Sequence, residues 1–398
     1  MSARPASARA VVGAAAVAVL WCLAATVTAC GEGGPTAGRA SSSTTTTSTV
    51  AALTDRVVDS GDPVADAALE GVAARVEELR GLRFRRPVTA RVLPEPQFLE
   101  RLDATIERDR AEVAAAGDLL VLTGELPPGT DFVAASRAGE LADVLGFYDP
   151  ATRELVVGGD PASPFARAVA AHELTHALDD QWAEGVEPVD EDARVALAAT
   201  AEGSADRVLE AYLAGMDVRE RAAARAGEVG TDRGIDLSGV PPEMWEGLED
   251  LYSLGDAFVA RVVRRGGRSA LDGVQRRADL ATAEVLHGPP APGGLAPVPA
   301  PAADGPVLAA GVLGELGLLG MLNSAVEPAA ARSAAAVWRG DWWVRWATPG
   351  GGQCLRLDVR PAAVGADGAI ATLQRWAAAG PGRTVARRDD LVRVESCR

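Results

Sequence analysis

Along residues 63–81 apolar side chains recur every three or four positions. Leu69, Val72, Val76 and Leu79 fall on one side of a helix, and Gly81 stands where a C-terminal cap belongs. The period then drops to two in R-R-P-V-T-A-R-V-L-P, where Val88, Ala90 and Val92 share one face of a strand. Helical spacing returns over 95–116, a Pro-Pro-Gly turn occupies 127–129, and another helix is predicted over 131–144. Residues 146–159 read as a β-hairpin, with Phe147 and Tyr148 before an Asp-Pro turn and Leu155 to Val157 returning. Ser163-Pro164 opens the next helix, serine as N-cap and proline in the first turn, and that helix carries A-A-H-E-L-T-H-A-L-D-D-Q-W. Further helices are expected at 192–213, 242–265 and 268–279, a Pro/Gly-rich loop at 288–305, and a helix in the apolar run 306–322.

From Ala334 the pattern changes again. W-R-G-D-W-W-V-R-W-A and C-L-R-L-D-V-R alternate like paired strands, 370–378 is a short helix, and L-V-R-V-E-S-C is a last strand. The chain carries no internal repeat. These elements predict an α+β protein: a mainly helical core over 51–333 with a small strand and hairpin region, and a small C-terminal α/β layer over 334–398 packed on it. The tryptophans of that layer (338, 342, 343 and 346) are expected to pack it, since they lie in strand-like alternation.

The N-terminal fifty residues follow another logic. Arg4 and Arg9 precede an uncharged apolar run from Val11 to Val27, which ends in V-T-A-C. That resembles the lipobox of a bacterial lipoprotein signal peptide, in which residues 1–29 are removed and Cys30 becomes the acylated N-terminus. Residues 30–50, rich in Ser, Thr and Gly, lack the apolar side chains a core needs and read as a flexible tether. The expected location is the extracytoplasmic face of the cell membrane, held by lipid.

Composition sharpens this picture. The net charge of the 398-residue chain is -16 and all basic residues are arginine, with no basic stripe, which argues against nucleic acid as a partner and against electrostatic adhesion to an anionic membrane. Of the four cysteines, Cys22 would leave with the leader and Cys30 would carry lipid. Cys354 and Cys397 remain, and in an oxidising compartment they are expected to form a disulfide.

The chemistry lies in the helix opened by Ser163. His172 and His176, two of only three histidines, stand at i and i+4 with Glu173 directly after the first. Both imidazoles therefore project from one face within reach of a single ion, and the glutamate lies beside it, placed to take a proton from a metal-activated water. A hydrolytic zinc site needs a third protein ligand and one open position. On the following predicted helix Glu202 and Asp206 share a face, with Ala201, Gly203 and Ala205 small enough to let the two helices approach. Glu202 is the expected third ligand and Asp206 the carboxylate that supports a ligand histidine, with Asp206 or Glu210 as fallback ligands.

A-H-E-L-T-H-A-L-D-D followed by an E-x-x-x-D helix resembles the gluzincin clan of zinc metallopeptidases, of which thermolysin is the familiar member. The resemblance implies one zinc ion on His172, His176 and Glu202, Glu173 as general base, and a peptide or protein as substrate. The interval before Glu202 is longer than in thermolysin-like enzymes, the excess matching the acidic stretch E-G-V-E-P-V-D-E-D. R-G-L-R-F-R-R-P-V, G-F-Y-D-P-A-T-R-E-L-V-V, A-T-A-E-G-S-A, T-A-E-V-L-H and L-G-E-L-G also resemble a family of bacterial extracytoplasmic proteins predicted to be zinc metallopeptidases. His287, at the end of T-A-E-V-L-H, is the expected oxyanion donor, with Tyr148 and Tyr252 as rivals more in keeping with packed aromatics whose hydroxyls are satisfied. The reading from a different class is an envelope lipoprotein that keeps the metal as a structural staple and works by binding a partner.

Overall fold

The structure is a computed structural model that describes residues 53, 55–229, 233–289 and 293–398. The predicted leader, tether and Cys30 lie outside these residues. The described elements run β1 (Val57–Val58), α1 (Pro63–Arg80), β2 (Val88–Leu93), α2 (Glu95–Arg108), α3 (Arg110–Thr123), α4 (Phe132–Asp143), β3 (Gly146–Asp149), β4 (Glu154–Gly158), α5 (Pro164–Ala183), α6 (Glu191–Gly215), α7 (Val218–Val229), α8 (Pro242–Gln275) and α9 (Thr282–His287). They continue with β5 (Val307–Gly311), α10 (Gly314–Asn323), α11 (Pro328–Ala335), β6 (Trp338–Ala347), β7 (Gln353–Pro361), α12 (Ala366–Ala378), β8 (Arg383–Arg388) and β9 (Leu391–Cys397). The fold is α+β, as the hydrophobic pattern predicts.

The first sheet has the order β1-β2-β4-β3, parallel except for the antiparallel β3–β4 pair. Alternation splits its side chains between two cores. Val88, Ala90, Leu155 and Val157 pack on α1 and α5, against Leu69, Val76, Leu174 and Leu178. Phe147 and Val156 point the other way, onto Phe98, Leu102 and Ile106 of α2 and Leu141 of α4. This period-two division is what a strand covered on both sides requires. β3 is one of the two edge strands, β1 being the other, and lies along α5.

The second sheet is antiparallel, in the order β5-β6-β7-β9-β8. Trp338, Trp343, Leu357, Trp376 and Val394 close its core with Met321 and Leu322 of α10, and Trp346 packs with Val344 and Cys354. The tryptophans are thus packing residues, with Trp342 half-buried. Cys354 and Cys397 are direct register partners on β7 and β9 and are joined by a disulfide.

Three expectations change. The helix foreseen over 95–116 is two helices, broken at Asp109, whose amide bonds back to Ile106 and Glu107 in a tight turn. The apolar run 306–322 is not one helix: Val307–Gly311 is strand β5, hydrogen-bonded along β6, and α10 begins only at Gly314. Short apolar runs carry no period that separates strand from helix, and here sheet pairing decides. The second sheet accordingly begins before residue 334. Finally, the helices foreseen at 242–265 and 268–279 are two segments of α8 meeting at Gly267, whose φ of 70° breaks the helical path, and the second segment stops at Gln275.

Candidate metal centre

Ser163 accepts a hydrogen bond from the Ala166 amide and starts α5, and Asp190 does the same for α6 through the Ala193 amide. The acidic stretch between them is the turn that lays α6 against α5. A third helix fixes their depth. A Cβ at Gly203 would run into the Gly255 carbonyl, and one at Gly255 into the Ala199 carbonyl, so α6 and α8 touch backbone to backbone. Only glycine permits that approach.

On the facing sides of α5 and α6 the predicted ligands come together. The Nε2 atoms of His172 and His176 are 3.0 Å apart, and Glu202 Oε2 is 3.4 Å from the first and 3.6 Å from the second. Tetrahedral zinc with ligands at ~2.0–2.1 Å has ligand–ligand edges of about 3.4 Å, so this triangle fits such an ion. His172, Glu173 and Glu202 are buried and His176 keeps a small exposed edge. The 3.4–3.6 Å approaches are ion-pair distances that leave Glu202 Oε2 without a hydrogen bond, an orphaned buried oxygen facing two imidazoles. A group of His172, His176 and Glu202 able to hold a metal ion is therefore present.

The surrounding groups divide the remaining tasks. Asp206 Oδ1 lies 3.4 Å from His172 Nδ1, on the side away from the cluster, where it favours the tautomer that leaves Nε2 for the metal. Glu210, a fallback ligand, is exposed and outside the group. Glu173 Oε2 accepts the Tyr148 amide of edge strand β3 at 2.9 Å, while its Oε1 has no partner. Burial raises the Glu173 carboxyl to about 7, against the opposing pull of the two histidines. Burial also disfavours charge on His172, but Asp206, Glu202 and Glu173 outweigh it and hold that imidazole well above its ordinary pKa. For His176, Glu202 likewise overcomes burial and raises the pKa. Burial opposes ionisation of Glu202 too, yet the histidines prevail and lower its pKa. The pocket thus favours positive charge at the point where three ligand atoms converge.

The three expected oxyanion donors fall in different places. Tyr148 gives its hydroxyl to Asp180 Oδ2 at 2.8 Å. His287 is not brought to the cluster: its Nε2 lies 2.7 Å from Glu315 Oε1. Glu315 follows Gly314, whose Cα sits against the Asp192 carboxylate, and Thr282 at the start of α9 also bonds Asp192. Asp192 is ten residues before Glu202 on α6, roughly 15 Å along a helix. Tyr252, one turn before Gly255 on α8, is a buried aromatic packed with Ala199 and Phe258, and among the described residues its hydroxyl has no hydrogen-bond partner. Burial, then the charges of Glu202, Asp206 and Glu173, hold that hydroxyl protonated, its pKa far above the usual phenol range. The expectation of a satisfied hydroxyl is thereby corrected.

One part of the site escaped the sequence reading. Asp179 is buried seven residues after His172, so it shares the ligand face of α5. It accepts Arg80 Nε at 2.7 Å, Ser204 Oγ at 2.6 Å and Gln275 Nε2 at 2.7 Å, and Arg80 also pairs with Asp272 at 2.7 Å. These contacts tie α5 to α1, α6 and α8. The spacing His172, His176, Asp179 was the available signal. Comparison with known protein families, curated proteins and solved structures finds no match to this chain.

Proposed function

We propose that the protein is a zinc-dependent peptidase, a hydrolase of peptide bonds, with His172, His176 and Glu202 as the metal ligands. The observation that carries this reading is the unpartnered Oε1 of Glu173 beside a three-ligand group among the described residues: structural zinc is usually closed by four side chains, whereas catalytic zinc keeps a position for water or substrate. That weighs against the staple reading. When bound, the metal would polarise the scissile carbonyl and lower the pKa of a water.

The chain's own groups supply the rest. Glu173, pinned by the Tyr148 amide, is the base that receives the water proton and returns it to the departing amine. Asp206 holds the His172 ring. Tyr252 offers an O–H to the oxygen on which negative charge develops. Edge strand β3, beside α5, offers its main-chain groups other than the Tyr148 amide to an extended peptide.

The proposal includes a lipid anchor at Cys30 and an extracytoplasmic position. The Cys354–Cys397 disulfide supports an oxidising compartment. Among the described residues no helix is long and apolar enough to cross a membrane.

The test is a pair of variants assayed for metal content and cleavage of an unstructured protein. Glu173→Gln should keep about one zinc per chain and lose roughly 10²–10⁴-fold in kcat. His176→Ala should lose the metal as well. Equal, trace zinc in wild type and His176→Ala would remove the metal assignment, and full cleavage by Glu173→Gln would remove the base.

A further inference from the structure

A second cavity, away from the metal cluster, lies among the described residues. It measures about 970 Å³ and lies between α3 and α4, the N-terminal halves of α6 and α8, α10, and strands β5 and β6. Drug-sized ligands occupy pockets of ~300–1,000 Å³. The metal ligands take no part in its wall. Of α8, Leu251 lines the cavity and its neighbour Tyr252 does not.

Its lining has two parts. Leucines, alanines and the indoles of Trp342 and Trp343 make it mostly apolar. Against this stand the carboxyls of Glu112, Glu125, Glu140, Asp190, Glu191 and Glu243, with one guanidinium in the wall, Arg398. Arg194 reaches Glu191 Oε2 at 3.2 Å but leaves Glu191 Oε1 without a partner. Deepest are Ser136 and Glu140, one turn apart on α4 and 1% and 3% exposed. Among the described residues neither Ser136 Oγ nor Glu140 Oε2 has a hydrogen-bond partner. Leaving buried polar atoms unpaired is costly, so such a pair on a cavity wall points to a guest.

We infer that this cavity is a second binding site, for an amphipathic amine whose apolar body lies along the leucine and tryptophan wall and whose ammonium sits at Ser136 and Glu140. An ammonium has three donors for Glu140 Oε2, Ser136 Oγ and a neighbouring carboxyl. Trp342 Nε1 and Trp343 Nε1, also without partners, would serve an acceptor on the ligand's body. Burial, and secondarily the Asp109 charge, lifts the Glu140 carboxyl to about 8, and burial lifts Glu125 and Glu191 to about 7. These are acids desolvated without enough counter-charge, which a cationic guest supplies.

The site is independent of the peptidase reading, and its test measures binding alone. The full chain is titrated with octylamine, octanol and octanoate, followed by tryptophan fluorescence and calorimetry. Octylamine should bind saturably, about tenfold more tightly than octanol, with octanoate weaker than both. Glu140→Gln, and separately Glu125→Gln, should weaken octylamine several-fold and leave octanol unchanged, each variant first shown by thermal unfolding to be folded. Equal affinity for the three probes, absence of saturable octylamine binding, or wild-type octylamine affinity in both folded variants would overturn the assignment.

Discussion

A single oxygen separates Tyr252 from phenylalanine, and that oxygen has no hydrogen-bond partner in a buried site. Deleting an unpaired buried hydroxyl should leave the thermal midpoint unchanged or raise it. If the hydroxyl serves the reaction, Tyr252→Phe should lower kcat about 10²–10³-fold with zinc content and KM little changed. Wild-type kcat in the variant would make it a packing residue. The candidate ligands were legible at this scale, because a period of 3.6 dictates that residues four apart share a face. His172, His176, Glu202 and Asp206 lie as that arithmetic demands. Tyr252 was ambiguous because nothing local in L-Y-S-L-G says where a hydroxyl will point. His287 was singled out by the segment T-A-E-V-L-H that the resemblance marks, whereas the fold pairs it with Glu315.

Between elements, the decisive contact is the one at Gly203 and Gly255. A methyl group at Gly255 would meet the Ala199 carbonyl, which is main chain and cannot swing away. Gly255→Ala should therefore part α6 from α8, destabilise the protein by a few kcal/mol, and move Glu202 relative to the histidines. Weaker zinc affinity together with a lower urea midpoint is the expected pair of readings. A variant with wild-type midpoint and affinity would show that the close approach is dispensable. The sequence announced the small residues around Glu202 but not their partner, because helix pairing is non-local. For the same reason β5 looked helical and Asp109 was hidden inside a continuous pattern. The hairpin, the capped α5 and the disulfide strands were readable, each being specified by residues near one another in sequence or by a unique cysteine pair.

Across the whole molecule, buried acids set how stability varies with pH. The Glu140 carboxyl is raised to about 8 in the folded chain from an ordinary 4.5, and Asp192 to about 7 from 3.8, each chiefly by burial. The folded state therefore holds protons that the unfolded chain has released. Their contribution is full below the unfolded values and is lost as pH rises through the folded ones. The thermal midpoint should fall between about pH 5 and about pH 9, and Glu140→Gln, which mimics the neutral acid, should flatten that slope. A midpoint that climbs over this interval, or an unchanged slope in the variant, would refute it. Composition gave the acidic balance of the chain but not which acids would be walled off.

The Asp179 hub gives the proposed metal a particular status. Because Arg80, Ser204 and Gln275 fasten α5 to its neighbours without using any ligand atom, the helices have a reason to be in place before an ion arrives. Folding and loading are then separate events, unlike in zinc fingers, which collapse on chelation. Stripping the metal should leave the far-ultraviolet circular dichroism unchanged and lower the thermal midpoint only as far as mass action requires. Re-addition should restore cleavage without a refolding step. On the proposed reading, the chain would leave the cell as an inert, finished scaffold and be switched on by the zinc it meets outside.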